Sequence, residues 1–328
     1  MTNASKSFSL VADIGGTNTR VALAEGRNVR PETIRRYSNA DFPGLETVLR
    51  RYIADENDVK PLAACVAVAG PVREGRADMT NLDWTIDKDT LARATGAATT
   101  AILNDLQAQG HALGHIADSN IMPVLKGNPG NQHAAKLVIG VGTGFNAAPV
   151  FETESGRVVP PSESGHANLP IRNAEELRLC EFVSTAHGFP AVEDVLSGRG
   201  LERTYAWLCS ERGTPTELSA KEIMDRVSEG HDDIAAEALR IFIRILGTVA
   251  GNLSLIQLPF GGVYLVGGVA RAVSPFLADF GFADAFRDKG RFAGFMGNFA
   301  VSVVNDDYAA LTGSAAHLTE LLAHQKPA

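Results

Sequence analysis

The sequence predicts an α/β protein whose mixed sheets are covered by helices and whose core is built twice. Two observations carry that reading. Strand and helix signals alternate through residues 8–103. The run Leu10-Val11-Ala12-Asp13-Ile14-Gly15-Gly16-Thr17 then returns as Leu137-Val138-Ile139-Gly140-Val141-Gly142-Thr143-Gly144. Each copy is an apolar strand, a glycine loop containing threonine, and a second apolar run. Such a pair suggests a duplicated core with a nucleotide held between its halves.

Strand signals fall at 8–14, 19–25, 62–69 and 100–103. Between them Leu45, Val48, Leu49 and Tyr52 keep helical spacing over 42–53. A short helix is expected over Asp87–Ala94, with Asp87 as its N-cap. The turn cluster Gly127-Asn128-Pro129-Gly130-Asn131 is expected to end the first unit. In the second half, Ala235–Gln257 carries apolar residues from Leu239 to Ile256 at helical spacing. The strand Val263-Tyr264-Leu265-Val266 delivers into Gly267-Gly268, where backbone can pass an adenosine closely. A tight strand–helix turn is the competing reading there. Ala309–Leu321 reads as a closing helix.

The first glycine loop carries the most chemistry. Paired glycines permit positive φ and close ligand approach, and successive N–H groups in such a turn can bind an anion. A carboxylate just before it, Asp13, needs a cation between itself and a phosphate, and Mg²⁺ is the usual choice. Asp13-Ile14-Gly15-Gly16-Thr17-Asn18 therefore reads as a Mg-nucleotide phosphate cradle, against the plainer alternative of a glycine hairpin. Gly140 stands where Asp13 stands in the first copy, so one metal site is expected rather than two.

Bulk properties narrow the class. At 328 residues the chain has room for two domains, and 45% hydrophobic with 21% charged residues is ordinary for a globular protein. The formal charge of −8 argues against nonspecific nucleic-acid or anionic-membrane binding. Cys65, Cys180 and Cys209 form no C-x-x-C pair, which fits a reducing cytoplasm and no structural zinc. The apolar stretch near 241–258 is interrupted by Arg244, Asn252 and Gln257 and reads as a buried helix, not a membrane span.

Asn104-Asp105 follows a strand, where open α/β sheets place ligands. Asp105 can take a proton from an attacking hydroxyl while Asn104 holds another; a helix cap at Leu106 explains the pair equally well. Glu163-Ser164-Gly165-His166 follows Pro160-Pro161 and puts a carboxylate and an imidazole within reach of adjacent hydroxyls; a solvated polar loop competes. Glu193, before Val195-Leu196-Ser197-Gly198-Arg199-Gly200, reads alone as an exposed helix residue, and Thr80-Asn81 alone says little.

Together these motifs resemble the bacterial glucokinase family, ATP-dependent hexose kinases of the sugar kinase, actin and heat-shock chaperone superfamily. The resemblance runs in order through Asp13–Asn18, Met79-Thr80-Asn81, Asn104-Asp105, Gly142-Thr143-Gly144, Glu163–His166, Glu193–Gly200, Gly267-Gly268 and Phe286–Phe292. It implies a two-domain actin-like ATPase (ribonuclease H-like) fold with a ligand cleft, divided as 1–110 plus 309–328 and 111–308. It implies phosphorylation of D-glucose at the 6-hydroxyl, with Asp105 as general base. Asn104, Glu163, His166 and Glu193 would hold the other hydroxyls, Asp13 would position Mg²⁺, and Gly15–Asn18 with Gly142–Gly144 would hold the phosphates of ATP. Gly267-Gly268 would lie near adenosine, and a cytoplasmic homodimer is expected. A kinase for another hexose, or a non-catalytic sugar sensor of the same fold, remains open. Two departures bear on these roles. Asn146 stands where the second phosphate loop usually continues with glycine, and Ser164 where glycine is common before the loop histidine. The cysteine cluster that binds zinc in the related ROK kinases is missing, and no N-terminal DNA-binding segment is expected.

Overall fold

A computed structural model describes residues 7–325 except Thr80, Asn81 and Pro129, so the Thr80-Asn81 motif lies outside the described residues. The chain begins β1 (Ser9–Ile14), β2 (Asn18–Glu25), β3 (Asn28–Val29), β4 (Arg35–Ser38), α1 (Leu45–Asp55) and β5 (Ala63–Val68). Next come β6 (Val72–Arg73), β7 (Arg76–Asp78), β8 (Thr85–Asp87), α2 (Lys88–Thr95), β9 (Thr99–Asn104) and α3 (Asp105–Ala112). It continues through β10 (Ile121–Leu125), β11 (Lys136–Val141), β12 (Phe145–Thr153), β13 (Gly156–Val158), α4 (Ala174–His187), α5 (Gly198–Glu211) and α6 (Ala220–Glu229). Last are α7 (Asp233–Gln257), β14 (Val263–Val266), α8 (Gly268–Val273), α9 (Phe282–Arg287), β15 (Val301–Val304) and α10 (Ala309–Gln325).

The described residues form two compact units, one from those within Met1–Asp118, Thr153–Pro161 and Asp306–Ala328, the other from those within Ser119–Glu152 and Ser162–Asn305. The expected turn at 127–131 is not the edge of the first unit, because β10 before it already pairs antiparallel with β15 of the second. Segment 153–161 joins the first unit for a local reason. The Arg157 guanidinium donates to the carbonyls of Gly110 and His111 at the end of α3, at 3.3 and 2.8 Å. Gln107 Nε2 on the same helix donates to the Val159 carbonyl at 2.7 Å.

In the first unit the strand order is β3-β2-β1-β5-β9, with β4 beside β2. Two-residue alternation sorts the side chains. Leu10, Ala12 and Ile14 of β1 and Ala64, Val66 and Val68 of β5 face α1 through Leu45, Val48, Leu49 and Tyr52. Val11, Ala63, Cys65, Ala67 and Leu103 face α3 and α10. That second face is lined by small residues, which lets the helices lie close: a Cβ at Gly313 of α10 would stand 1.7 Å from the Ala108 carbonyl oxygen of α3. As the sequence predicts, Asp87 caps α2, its carboxylate accepting the Thr90 N–H at 2.7 Å, and Gly96 closes the helix at φ 70.

The second unit repeats the plan. β11 and β12 form an antiparallel hairpin, and β11, β14 and β15 run parallel in order, as β1, β5 and β9 do. Helix α7 forms much of its core, with Leu239, Phe242, Ile243 and Leu246 fully buried. Gly247 and Gly251, one turn apart, admit α9: a Cβ on either would meet the Phe282 or Phe286 carbonyl at 2.6 or 2.4 Å. By length and composition α7 is apolar enough to cross a membrane, but 67% of its apolar window is buried inside the protein.

Candidate active site

In the first unit the parallel strands end level. Ile14 pairs with Val68 and Val68 with Asn104, which sets Asp13 and Asp105 at the carboxyl edge of one sheet. Asp13 lies opposite Arg20 across the β1–β2 hairpin, and Arg20 Nη1 donates to its Oδ2 at 3.1 Å. The Asp13 side chain is only 18% exposed. Burial pushes its carboxyl above the ordinary value, against the lowering effect of the Arg20 guanidinium. Oδ1 has no hydrogen-bond partner among the described residues. A half-satisfied, water-poor carboxylate with one oxygen open suits a hard divalent cation that keeps most of its waters, so Mg²⁺ fits.

The glycine loop beyond Asp13 closes through Gly15 N–H to the Asn18 carbonyl at 3.0 Å, leaving Gly16 and Thr17 exposed. Gly15 and Gly16 do not use the left-handed φ that paired glycines permit, nor do Gly142 and Gly144. Room for a ligand is found at Gly142, where a Cβ would meet nothing within 4 Å, whereas one at Gly144 would stand 2.4 Å from Glu193 Oε2. Asn39 braces the first loop, a role no local motif announced. Its Nδ2 donates to the Gly15 carbonyl at 2.8 Å, and its Oδ1 accepts the Thr19 hydroxyl at 2.8 Å.

Asn104 is the helix cap. Its Oδ1 accepts the Leu106 N–H at 2.9 Å, and Gln107 returns a bond to the Asn104 N–H at 3.1 Å, completing a capping box. Its Nδ2 donates to the Gly70 carbonyl at 2.9 Å and keeps a second hydrogen, so capping and hydroxyl binding are compatible. Asp105 opens α3, and its Oδ1 shares the same Leu106 N–H at 2.8 Å. The helix N-terminus favours its negative charge.

In the second unit separate motifs converge. The loop Gly142–Gly144 closes through Gly142 N–H to the Gly144 carbonyl at 2.9 Å, and the Gly142 carbonyl accepts the Gly198 N–H at 2.9 Å. Gly267 sits at φ 102, and a Cβ there would stand 2.4 Å from the Val141 carbonyl, so glycine is obligatory at this crossing. Glu193 is not an exposed helix residue. It lies half-buried in a single 3₁₀ turn, and its Oε2 accepts the Phe145 N–H at 2.9 Å, beside Gly144. Gly165 seats against β12, since a Cβ there would meet the Phe145 carbonyl at 2.0 Å. Glu163 and His166 are exposed, and neither side chain has a hydrogen-bond partner among the described residues. Asn146 lies in β12 opposite Gly140 without left-handed φ, so the strain its identity threatened is absent.

Residues 10–321 match the family model named Glucokinase. The chain is 32% identical to the glucokinase of Erwinia tasmaniensis, with 96% of this chain and 98% of that one covered. It is 33% identical to the glucokinase of Saccharophagus degradans over 95% and 98%. Among solved structures, a glucokinase from an Antarctic psychrotroph superposes with a TM-score of 0.84 at 29% identity, covering 95% and 98%. The Balamuthia mandrillaris glucokinase in complex with glucose gives 0.80 at 23% over 96% and 94%, a likeness of fold. A ROK family glucokinase from Streptomyces griseus, in complex with glucose and AMPPNP, gives 0.62 at 20% over 95% and 99%, again in fold. With the actin-like α/β architecture and a family match across most of its length, the chain belongs to the glucokinase family.

Proposed function

We propose that this protein transfers the γ-phosphoryl group of ATP to the 6-hydroxyl of D-glucose, giving glucose 6-phosphate and ADP. The observation that carries the reading is the placement of Asp13 and Asp105 at the carboxyl edge of the same parallel strands.

Phosphoryl transfer asks a protein mainly for positioning and charge neutralisation. Asp105 supplies the base: its carboxylate, at the start of α3, takes the proton of the 6-hydroxyl as that oxygen attacks phosphorus. Asn104 offers its remaining N–H to a neighbouring hydroxyl while its other contacts fix the side chain. Glu163 and His166, whose side chains have no hydrogen-bond partner among the described residues, present polar atoms for two more hydroxyls. Glu193 adds a third acceptor and ties that seat to the phosphate loop through the Phe145 N–H. Asp13 and the waters it orders would hold Mg²⁺, which neutralises charge on the phosphates when bound. Gly15–Asn18 and Gly142–Gly144 would meet those phosphates at their exposed residues Gly16, Thr17 and Thr143, and Gly267-Gly268 would lie near adenosine.

The three cysteines are free and buried, in keeping with a cytoplasmic enzyme, and the family resemblance supports the proposal of a homodimer. A hexose panel with Mg-ATP tests the substrate assignment. Glucose is expected to give the highest kcat/KM, and a maximum at mannose, fructose or an amino sugar would reassign it.

A further inference from the structure

Asn146 and Ser164, the two positions where this sequence departs from the family pattern, are hydrogen-bonded to each other. The Asn146 Oδ1 accepts the Ser164 N–H at 3.0 Å and the Ser164 hydroxyl at 3.1 Å. The same oxygen accepts the N–H of Ala147 at 2.8 Å, which fixes the plane of the amide. From its other end, Nδ2 donates to the Ser162 carbonyl. The Ser162 carbonyl and the Ser164 N–H belong to the two peptide groups that flank Glu163. One carboxamide therefore grips the backbone on both sides of the residue assigned to the sugar.

We infer that Asn146 is a positioning residue for sugar binding: its carboxamide clamps the peptide groups on either side of Glu163 and so fixes how far that carboxylate reaches. The inference rests on the reading of Glu163 as a sugar ligand.

The arrangement explains why a clamp is useful here. Glu163 is exposed at the head of a three-residue 3₁₀ turn, Ser164–His166, and its own side chain is held by nothing among the described residues. Without an anchor, its backbone has one 3₁₀ bond, from the His166 N–H to the Glu163 carbonyl at 3.2 Å. Asn146 transfers the rigidity of a paired strand to that loop. It lies in β12 in register with Gly140, and the adjoining Phe145 carbonyl lies against Gly165. A glycine at 146 has no side chain for this, and a glycine at 164 keeps the N–H but loses the hydroxyl. The pair is therefore a second means of ordering a loop, with the amide reaching across where another backbone would have to turn. Because the clamp acts on the sugar loop, with its hydrogen bonds to Ala147, Ser162 and Ser164, it governs glucose affinity and leaves nucleotide affinity alone.

The test compares the intact wild-type protein with Asn146→Ala, Ser164→Gly and the double variant. It uses three readouts: glucose titration by calorimetry, KM for glucose and for ATP, and amide hydrogen exchange across 162–166. Asn146→Ala should weaken glucose binding about tenfold, the loss of one well-made polar contact. Its ATP KM should stay within about twofold, and protection of the Ser164 amide should fall. Ser164→Gly should cost about twofold to threefold in glucose affinity. Combined with Asn146→Ala it should add almost nothing, because both changes break the same clamp. Unchanged glucose affinity in Asn146→Ala, or a rise confined to the ATP KM, overturns the inference while leaving the kinase reading intact. Wild-type protein that binds no glucose overturns that reading, and this inference with it.

Discussion

At the same rung below their glycine loops, the first hairpin pairs Asp13 with Arg20 and the second pairs Gly140 with Asn146. The strands around these rungs are arranged alike, with the hairpin's first strand parallel to the next two. In the first, the rung holds a part-buried ion pair whose carboxylate has one oxygen without a hydrogen-bond partner among the described residues. In the second, glycine stands in place of the carboxylate and the facing side chain is hydrogen-bonded to Ser162 and Ser164. On the proposed roles, one copy of the backbone feature serves the metal side of the phosphates and the other serves the sugar loop. Geometry is inherited by both copies; chemistry is set by the two residues at the rung.

The division predicts unequal responses to substitution. The largest is expected in the first unit at Asp105, where Asp105→Asn keeps the shape and removes the proposed proton acceptor. In steady-state assays kcat should fall about 10²–10⁴-fold with glucose affinity nearly unchanged. A loss mainly in KM would assign Asp105 to binding instead.

A pH effect on stability also belongs to the first unit. His317 on α10 is pushed down to about 4 by burial and, secondarily, by the Lys88 charge, from an ordinary value of 6.5. The folded state then resists a proton that the unfolded chain accepts. Stability from this group is complete above pH 6.5 and is lost as pH falls toward about 4. At about 1.4 kcal/mol per pH unit the loss over that window is about 3 kcal/mol. Urea midpoints at several pH values should show the slope, and His317→Gln should flatten it.

The hairpins themselves can be set against each other. Asp13→Asn should lower activity about 10–100-fold and raise the Mg²⁺ concentration needed for half-maximal rate. Gly140→Asp, at the matching rung, should leave the Mg²⁺ requirement where it was. Equal shifts from the two would break the comparison. The smallest expected effect separates neighbouring glycines. Gly267→Ala puts a Cβ 2.4 Å from the Val141 carbonyl at a left-handed φ and should cost about 1–3 kcal/mol in unfolding free energy. Gly268→Ala, which enters open space at the start of α8, should be close to neutral.

Local signals in the sequence were sufficient for much of this. The Asp13 hairpin, its second copy, the Asp87 cap and the buried span of α7 are each written within a few consecutive residues, and the structure has them. The Asn104 cap was legible as one of two roles, and the structure shows both can be held by one amide. What was not legible depends on distance along the chain. Glu193 alone has the look of a surface residue because its partner, the Phe145 N–H, is 48 residues away. Asn146 read as a defect in a glycine loop because the Ser164 it serves lies 18 residues on. Short strands such as β4, β10 and β15 have too few residues for alternation to show, and β10 carried the edge of the second unit with it. Asn39 has no motif at all; only the folded hairpin makes its amide useful.

The most direct test of the central claim is product analysis with pure protein, glucose, ATP and Mg²⁺, following ADP enzymatically and the sugar phosphate by ³¹P NMR. The account predicts ADP and glucose 6-phosphate in equal amounts, with no turnover when Mg²⁺ is chelated. Glucose binding without ADP release at saturating Mg-ATP, or phosphate on a hydroxyl other than the 6-hydroxyl, would contradict it.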